Sequence, residues 1–383
     1  MADGSGDIVI RSIASIGDVD ACDWDAIACT EDGAYNPFVS HAYLSAVEQS
    51  QSAIAQTGWA PHHLLVSRGN EVLGGAPVYA KSHSQGEYVF DHHWADAYHR
   101  AGGDYYPKLL CAAPFTPVTG PRLLAKDETI RNALAHGLGE VTRQLGVSSL
   151  HVNFTQERDQ TALEKAGFLH RTGEQYHWFN DGYETFDDFL NALSSRKRKT
   201  IRRERRDAVD NLIIKHYRGD EITERHWDAF WLFYQDTGAR KWGTPYLTRS
   251  FFSQIAESMP DDLLLICAER GDDIVAGALN FIGGDALYGR YWGCIADFPF
   301  LHFEICYYQA IDFAITNKLS RVEAGAQGQH KIARGYQPIA THSAHFIRDS
   351  GFSDAIERYL VGERDHTDME IEALKDFTPF RKS

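Results

Sequence analysis

The chain has 383 residues, 43% of them hydrophobic and 12% aromatic, with a formal net charge of −15. That length predicts two domains, the apolar content excludes global disorder, and the charge excludes a surface that binds nucleic acid or anionic membrane throughout. Six cysteines (Cys22, Cys29, Cys111, Cys267, Cys294, Cys306) stand without a CxxC pair, and five lie in or beside apolar text, as reduced core thiols do. The opening residues Met1 to Gly6 contain neither a basic nor an apolar leader region. The longest apolar stretches, such as Leu263–Ala268, fall far short of the roughly 20 residues that span a bilayer. A cytoplasmic protein without stable membrane insertion is expected.

In chain order, Asn36-Pro37-Phe38-Val39-Ser40 predicts a turn and an N-cap ahead of an amphipathic helix with Tyr43, Leu44 and Val47. His63–Pro77 then predicts two strands joined by a tight turn at Arg68-Gly69. The segment Asp91–Pro121, rich in aromatics, Gly and Pro, predicts a long functional loop. Asp91, His92, His93, Asp96 and His99 carry metal-ligand chemistry, but Gly102-Gly103 and the aromatic surroundings favour a loop lining an acceptor pocket, and no metal is expected. Tyr105, Tyr106, Lys108, Thr116, Thr119 and Arg122 are assigned to the same pocket. Leu150–Phe154 predicts a strand, followed by a polar helix ending in Lys165-Ala166-Gly167-Phe168, where Gly167 supplies the left-handed cap.

These signals recur in the same order. Thr244-Pro245-Tyr246-Leu247-Thr248 leads into a run with Phe251, Phe252 and Ile255. Leu265–Leu279 aligns with the earlier hairpin at Arg270-Gly271, and Arg321–Gly325 leads to Ala333-Arg334-Gly335-Tyr336. A tandem duplication follows, with domains 1–180 and 181–383, a boundary near Asn180–Asp187, and an aromatic insertion at 91–121. Between the halves, Asp187–Val209 predicts one helix containing the run Arg196–Arg206, in which only Thr200, Ile201 and Glu204 are not basic. On a chain this acidic such a run points to phosphate or tRNA contact through Arg202, Arg203 and Arg206, or to a solvated helix paired with acidic neighbours.

Further on, Tyr288–Gly293 predicts a strand with Arg290 and Trp292 on one face and Tyr291 on the other. There Arg290 would grip a carboxylate or phosphate beside an aromatic wall. His302-Phe303-Glu304 opens a helix, and Glu304 or His330 would take the proton from an attacking amine, which is mostly protonated at pH 7 (pKa ~10.4). Ala324–Lys331 follows a strand and opens another helix, whose small residues and N-terminus would admit an anion. Gln327, Lys331 and Arg334 would meet that ligand.

The order of helix, hairpin, strand, helix, Gly-aromatic pair and closing strand resembles the GNAT acyltransferase fold, and TALEKAGF (Thr161–Phe168) resembles its late helix. Two such units in tandem resemble the FemAB-type aminoacyl transferases. YYPKL (Tyr105–Leu109), PFTPVTGPR (Pro114–Arg122), YGRYWG (Tyr288–Gly293), LHFEICYYQAIDFAI (Leu301–Ile315) and AGAQGQHKIARGYQP (Ala324–Pro338) are similar to the FemAB-like predicted N-acyltransferases. The resemblance implies an α/β (α+β) fold of two tandem GNAT-like domains, each a mixed, mostly antiparallel sheet flanked by helices. It also implies amide formation on a primary amine of a small molecule or peptide, a peptidoglycan-related acceptor among them, and a functional lysine, which puts Lys331 first. With no covalent intermediate signalled, Lys331, Glu304 and His330 are the catalytic candidates. Substrate binding falls to Arg334, Arg290, Trp292, His302, Gln327, Tyr106, Lys108 and Arg122. No cofactor is expected to be permanently bound. The donor is left open between acyl-CoA and aminoacyl-tRNA, because the Arg/Gln-x-x-Gly-x-Gly/Ala pyrophosphate signature is not cleanly present. An acyl-CoA-dependent enzyme acting on small amines, and a non-catalytic module holding tRNA or a nucleotide sugar, are the competing readings. Oligomeric state is not legible.

Overall fold

A computed structural model describes residues 7–29, 34–241, 245–325 and 328–381. In chain order its strands begin with β1 (Ile8–Ile13), β2 (Trp59–Pro61), β3 (His63–Arg68), β4 (Glu71–Ala76), β5 (Val78–Lys81), β6 (Lys108–Cys111), β7 (Leu124–Ala125) and β8 (Ser149–Thr155). They continue with β9 (Leu169–Phe179), β10 (Ile213–Arg218), β11 (Leu263–Arg270), β12 (Asp273–Ile282), β13 (Ala286–Cys294), β14 (Arg321–Glu323) and β15 (Gln337–Ile347).

Two compact units emerge, and neither is a single stretch of chain. The first takes residues 1–173 with 340–368, and the second takes 174–339 with 369–383. The contiguous division at 180/181 does not provide for this exchange. The end of β15 is the antiparallel neighbour of β8 in the first unit, while the end of β9 pairs with β14 in the second.

In the first unit β1, β3, β4 and β7 form one sheet, and β15, β8, β6, β5 and β2 form another row. Pro77 stands between β4 and β5, where a missing N–H interrupts a ladder most cheaply. A core of Leu64, Val66, Leu109, Leu134, Leu138, Leu150, Val152 and Leu163 lies between strands and helices. In the second unit the row runs β10, β11, β12, β13, β14, β9. Helix Glu224–Lys241 buries Trp227, Phe230, Phe233 and Tyr234. A Cβ at Gly293 would lie 2.5 Å from the Phe233 carbonyl oxygen, so glycine is required where this helix crosses β13.

The repeat reaches the backbone. Gly69 and Gly271, the turn glycines of β3–β4 and β11–β12, both have φ 61°. Register shifts follow at Val66/Ser67 and at Ala268/Glu269, which are aligned positions. Each shift leaves one residue extra on the returning strand, Leu73 or Val275, and each is buried. The Gly-aromatic ends match as well. Gly167 and Gly335 donate to the carbonyls three residues back, and Phe168 and Tyr336 to those five back, which is the Schellman pattern. Ser40 and Thr248 stand at the N-caps of helices burying Tyr43, Leu44, Val47 and Phe251, Phe252, Ile255, at identical spacing.

Three expectations change. Asp91–Pro121 contains helix His92–Arg100 and strand β6, so it is not one loop. The helix expected over Asp187–Val209 is two, Phe186–Ala192 and Ser195–Ala208. Leu193 is extended and fully buried, bridged to Phe380, and Ser194 N–H donates to the Pro379 carbonyl. Tertiary pairing with the chain end therefore overrides local helix propensity. Of the cysteines, Cys111 and Cys267 are buried, Cys294 and Cys306 are half-buried, and Cys22 and Cys29 are exposed.

Candidate active site

In the second unit β13 and β14 are parallel neighbours only from Ala286/Arg321 to Tyr288/Glu323. There β14 ends, while β13 continues to Cys294 against β12 alone. The end of a parallel pair, where the ladder between the two strands stops, leaves backbone polar groups to be satisfied and is a common place for ligands. A β-bulge falls at this point, since Leu279 faces Tyr291 but Asn280 faces Gly289, leaving Arg290 as the extra residue. Strict alternation of Arg290 and Trp292 on one face is therefore broken. The Arg290 guanidinium sits 5.4 Å from the Tyr291 ring centroid instead.

The segment after β14 turns through Gly325 (φ 78°) and Gly328 (φ 118°), values that penalise any side chain with a Cβ. Gln327 lies outside the described residues. The expected helix is a 3-10 segment, Gln329–Arg334, too short for a useful macrodipole, so local positive charge must come from side chains. Lys331 is 2% exposed and donates to the carbonyls of Ala324 (2.6 Å) and Gly325 (2.9 Å). Its ammonium holds the glycine turn in shape.

Arg334, 8% exposed, donates to both oxygens of Glu204 (3.0 and 3.1 Å) and to the His330 carbonyl (2.8 Å). Its guanidinium lies 3.4 Å from the Phe303 ring centroid. Tyr308 also donates to Glu204, and burial, followed by that carboxylate contact, raises the phenol well above its ordinary range. The next residue in the basic helix, Arg205, reaches Glu304 with Nε at 3.2 Å from each oxygen and Nη2 at 3.1 Å from one. Gln309 supplies a further bond to Glu304 at 2.7 Å. Glu304 begins a π-helical turn, Glu304–Tyr308, of the kind often found at functional sites. At 1% exposure, with both oxygens on Arg205, Glu304 is badly placed to accept a proton from a substrate amine. The general-base expectation for it is corrected on that ground. His330 is exposed, with Nε2 3.0 Å from the Tyr307 hydroxyl. His302 lies 4.9 Å from Trp292 and 5.2 Å from Tyr307, centroid to centroid. The structure thus brings Lys331, His330, Arg334, Glu304, His302, Trp292 and Arg290 into one neighbourhood around the strand divergence.

The basic helix Ser195–Ala208 buries Ile201, Glu204 and Ala208. Arg202, Arg203 and Arg206 are all exposed, Arg202 beside Asp187 (3.0 Å) and Arg206 beside Asp207 (2.8 Å). Such exposed pairs contribute roughly 0–1 kcal/mol and are easily exchanged for phosphate.

In the first unit, two of the expected substrate contacts turn out to be structural. Arg122 is fully buried and donates to the carbonyls of Asn153 (2.9 Å), Pro121 (3.0 Å) and Val118 (2.6 Å). Lys108 is fully buried and donates to Ser84 (2.8 Å), Glu87 (2.8 Å) and Asp91. Three ammonium protons serve three acceptors, leaving none for a ligand. Tyr106 is half-buried, its hydroxyl 2.8 Å from Ser84. Burial alone would raise Asp91, but Lys108 and His151 hold it well below the usual carboxylate range, whereas burial pushes Glu87 up. Burial lowers Lys81 to about 7 despite Glu87, with its ammonium 3.6 Å from the Trp59 ring centroid. Among the described residues no group of three His, Cys, Asp or Glu side chains is arranged to hold a metal ion. His92, His93, Asp96 and His99 lie along the helix His92–Arg100 or its start.

Ionised Asp91 orders the rest of this network. Tyr105 donates to Asp91 (2.7 Å), so its oxygen accepts from His151 Nε2 (3.1 Å). That leaves His151 Nδ1 to accept from His345 Nδ1 (2.6 Å), whose Nε2 then accepts from Ser343 (3.0 Å). Burial lowers His151 to about 3 and His345 well below its ordinary value. Both histidines bind protons more readily unfolded, so their stability contribution is complete above pH 6.5 and falls as pH drops towards their folded pKa values. Between pH 6.5 and 4.5 His151 alone is expected to cost about 2 kcal/mol, with His345 adding in the same direction. Thermal melts across that window should show a falling melting temperature, less steep in His151→Gln. A flat profile in the unaltered protein contradicts the assignment.

Sequence reasoning missed Glu204, Tyr307, Glu87, His151 and His345, and had Arg205 only as part of the basic run. Glu204 alone carried a signal, as one acid inside a basic run.

The sequence matches the FemAB-like family, described as peptidoglycan biosynthesis/recognition, over residues 15–382. The chain belongs to this family. Among solved structures, FemX is similar at 14% identity and TM-score 0.54, covering 88% of this chain and 98% of its own. A conserved protein of unknown function from Bacteroides thetaiotaomicron is similar at 11% identity and TM-score 0.54, covering 89% and 100%. A tandem GNAT protein from the clavulanic acid biosynthesis pathway is matched at 10% identity and TM-score 0.46, covering 89% and 98%. No curated protein matches the sequence. The FemAB-like chain has the expected α/β architecture, two repeated units with mixed sheets, and shares its fold with FemX. No helix among its described residues is long and apolar enough to cross a membrane.

Proposed function

We propose that this FemAB-like protein is an N-acyltransferase that moves an activated acyl or aminoacyl group onto a primary amine. What supports the reading most is the β13–β14 divergence, beside which Lys331 and Arg334 are fixed at the glycine turn. The amine nitrogen attacks the donor carbonyl, a C–N bond forms, and the carbonyl carbon–oxygen or carbon–sulfur bond to the leaving group breaks. His330 takes the proton lost by the amine and passes it to the leaving group. Lys331 and Arg334 make the crevice electropositive, which stabilises charge developing on the carbonyl oxygen or carried by the donor. Glu304 acts through Arg205 as a positioning residue. Arg202, Arg203 and Arg206 offer an outer contact for donor phosphates, which favours aminoacyl-tRNA without removing acyl-CoA. The acceptor is a small molecule or peptide, with peptidoglycan precursors suggested by the family description, and the setting is cytoplasmic.

The test is incubation with panels of acyl-CoAs and charged tRNAs plus a mixed amine pool, with products read by mass spectrometry. A new amide is expected with one donor class, and Lys331→Met should lower its rate by roughly 10²–10³-fold, the range for losing one electrostatic donor. Full activity in a folded Lys331→Met protein refutes the site. Donor retention without any amide favours the non-catalytic reading.

A further inference from the structure

In the first unit, two histidines from neighbouring strands meet nitrogen to nitrogen beside a β-bulge. His342 of β15 faces Thr155 of β8 while Ser343 faces Asn153, leaving Phe154 as the extra residue, with φ 58°. Bulges re-aim the side chains around them. His342 Nδ1 lies 3.0 Å from Nε2 of His170, at the start of β9, the strand next to β15. Both residues are half-buried, and His170 lines an open cleft with Glu164, Phe168, Glu357 and Arg364.

A short chain of polar side chains orients the His170 ring. Thr155 donates to Gln160 Oε1 (2.9 Å), and Gln160 donates to Glu164 Oε1 (3.0 Å). That carboxylate oxygen lies 3.5 Å from His170 Nδ1. A carboxylate on this side keeps the proton on Nδ1, which leaves the Nε2 lone pair aimed at His342. His342 Nδ1–H donates to that lone pair. Moving the His342 proton to its own Nε2 gives two lone pairs that converge on one point, with no proton gained or lost. Two imidazole nitrogens on a tetrahedral zinc, each about 2.0–2.1 Å from the metal, stand roughly 3.3 Å apart. The rings therefore need to part by only a few tenths of an ångström. Burial is the first reason that both imidazoles sit below their ordinary pKa, and ligation requires the neutral ring.

The surrounding charge selects a cation. Asp368, Glu164 and Glu157 act on His342 as anions, and Glu164 and Asp368 act likewise on His170. Arg364 opposes them at His170, whose carbonyl it binds at 2.6 Å. We infer that His170 and His342 form a site for one first-row divalent metal ion, zinc by its preference for imidazole, with water completing the shell and Glu164 orienting His170 from outside it. The site needs two protein ligands rather than a three-residue cluster, and it does not depend on acyl transfer. Bound metal would staple β9 to β15 close to residues 173 and 340, where each strand leaves the first unit.

Calorimetric titration of the chelator-treated full chain with Zn²⁺ should show one site, and Zn²⁺ should raise the melting temperature. His170→Gln and His342→Gln should each abolish both effects. Glu164→Gln should weaken binding roughly 10- to 100-fold, the usual loss on removing a carboxylate that orients a ligating histidine. His92→Gln/His99→Gln, which removes two exposed histidines of the helix His92–Arg100, should bind like the unaltered protein. Cu²⁺ on the unaltered chain should show electron paramagnetic resonance splitting from two imidazole nitrogens, a readout that requires no variant to fold. Absence of binding, coupling to fewer than two nitrogens, a one-to-one site that survives in His170→Gln/His342→Gln, or its loss in His92→Gln/His99→Gln overturns the inference.

Discussion

Lys108→Met is expected to destabilise the first unit by about 3–5 kcal/mol, the usual result of stranding buried charge by removing its partner. Glu87 and Asp91 are 3% exposed and both accept from this ammonium, with the Lys81 ammonium farther from Glu87 at 3.8 Å, and Ser84 loses its donor as well. Asp91 would then rise toward protonation, and Tyr105, His151 and His345 would lose the acceptor that sets their hydrogen-bond order. Urea unfolding followed by intrinsic fluorescence measures the loss. Lys126→Met is the internal reference. Its partner Glu71 is exposed and the pair is worth roughly 0–1 kcal/mol. Combining Lys108→Met with Glu87→Gln and Asp91→Asn should recover part of the stability, since neutral amides are cheaper to bury. A Lys108→Met midpoint equal to that of Lys126→Met would show that the ammonium is not the keystone of this network.

The second large effect is expected in Glu204→Ala. Glu204 is 6% exposed and accepts from Arg334 and Tyr308, so its removal leaves the buried guanidinium with the His330 carbonyl but without this counter-charge, and the phenol without this acceptor. The expected cost is again about 3–5 kcal/mol. Arg334 also supports the His330 carbonyl and the Phe303 ring, so acyl transfer should fall even under conditions where the protein stays folded. Glu204→Gln, which keeps the shape and one acceptor, should be intermediate in both readouts. Arg203→Ala, on the exposed face of the same helix, should stay within about 0.5 kcal/mol of the unaltered protein. If Glu204→Ala behaved like Arg203→Ala, the basic helix would not be braced to the site as described.

The repeat was legible because it is written in local chemistry. Arg-Gly turns, Gly-aromatic helix ends and Ser/Thr caps each bias a few consecutive dihedrals, and the structure places matching bulges and Schellman ends at the aligned positions. Lys331, Arg334, His330, His302 and Trp292 were legible as a group for a related reason. They lie on short segments adjoining strands whose order the repeat already implied.

Burial and pairing of charges were not legible. Arg122 and Lys108 read as substrate-pocket cations in sequence, and both are fully buried on partners up to 31 residues away. The same limit hid Glu204 inside a basic run and His345, whose partner His151 is 194 residues distant. Local sequence determined the strands, turns, caps and duplication of this protein, because those depend on torsional preference and side-chain period over a few residues. Tertiary structure alone decided which strand ends each unit exchanges, where the helix near Leu193 breaks, and which carboxylate neutralises which cation. Those outcomes follow from desolvation, whose cost is set by neighbours that folding brings in from elsewhere in the chain.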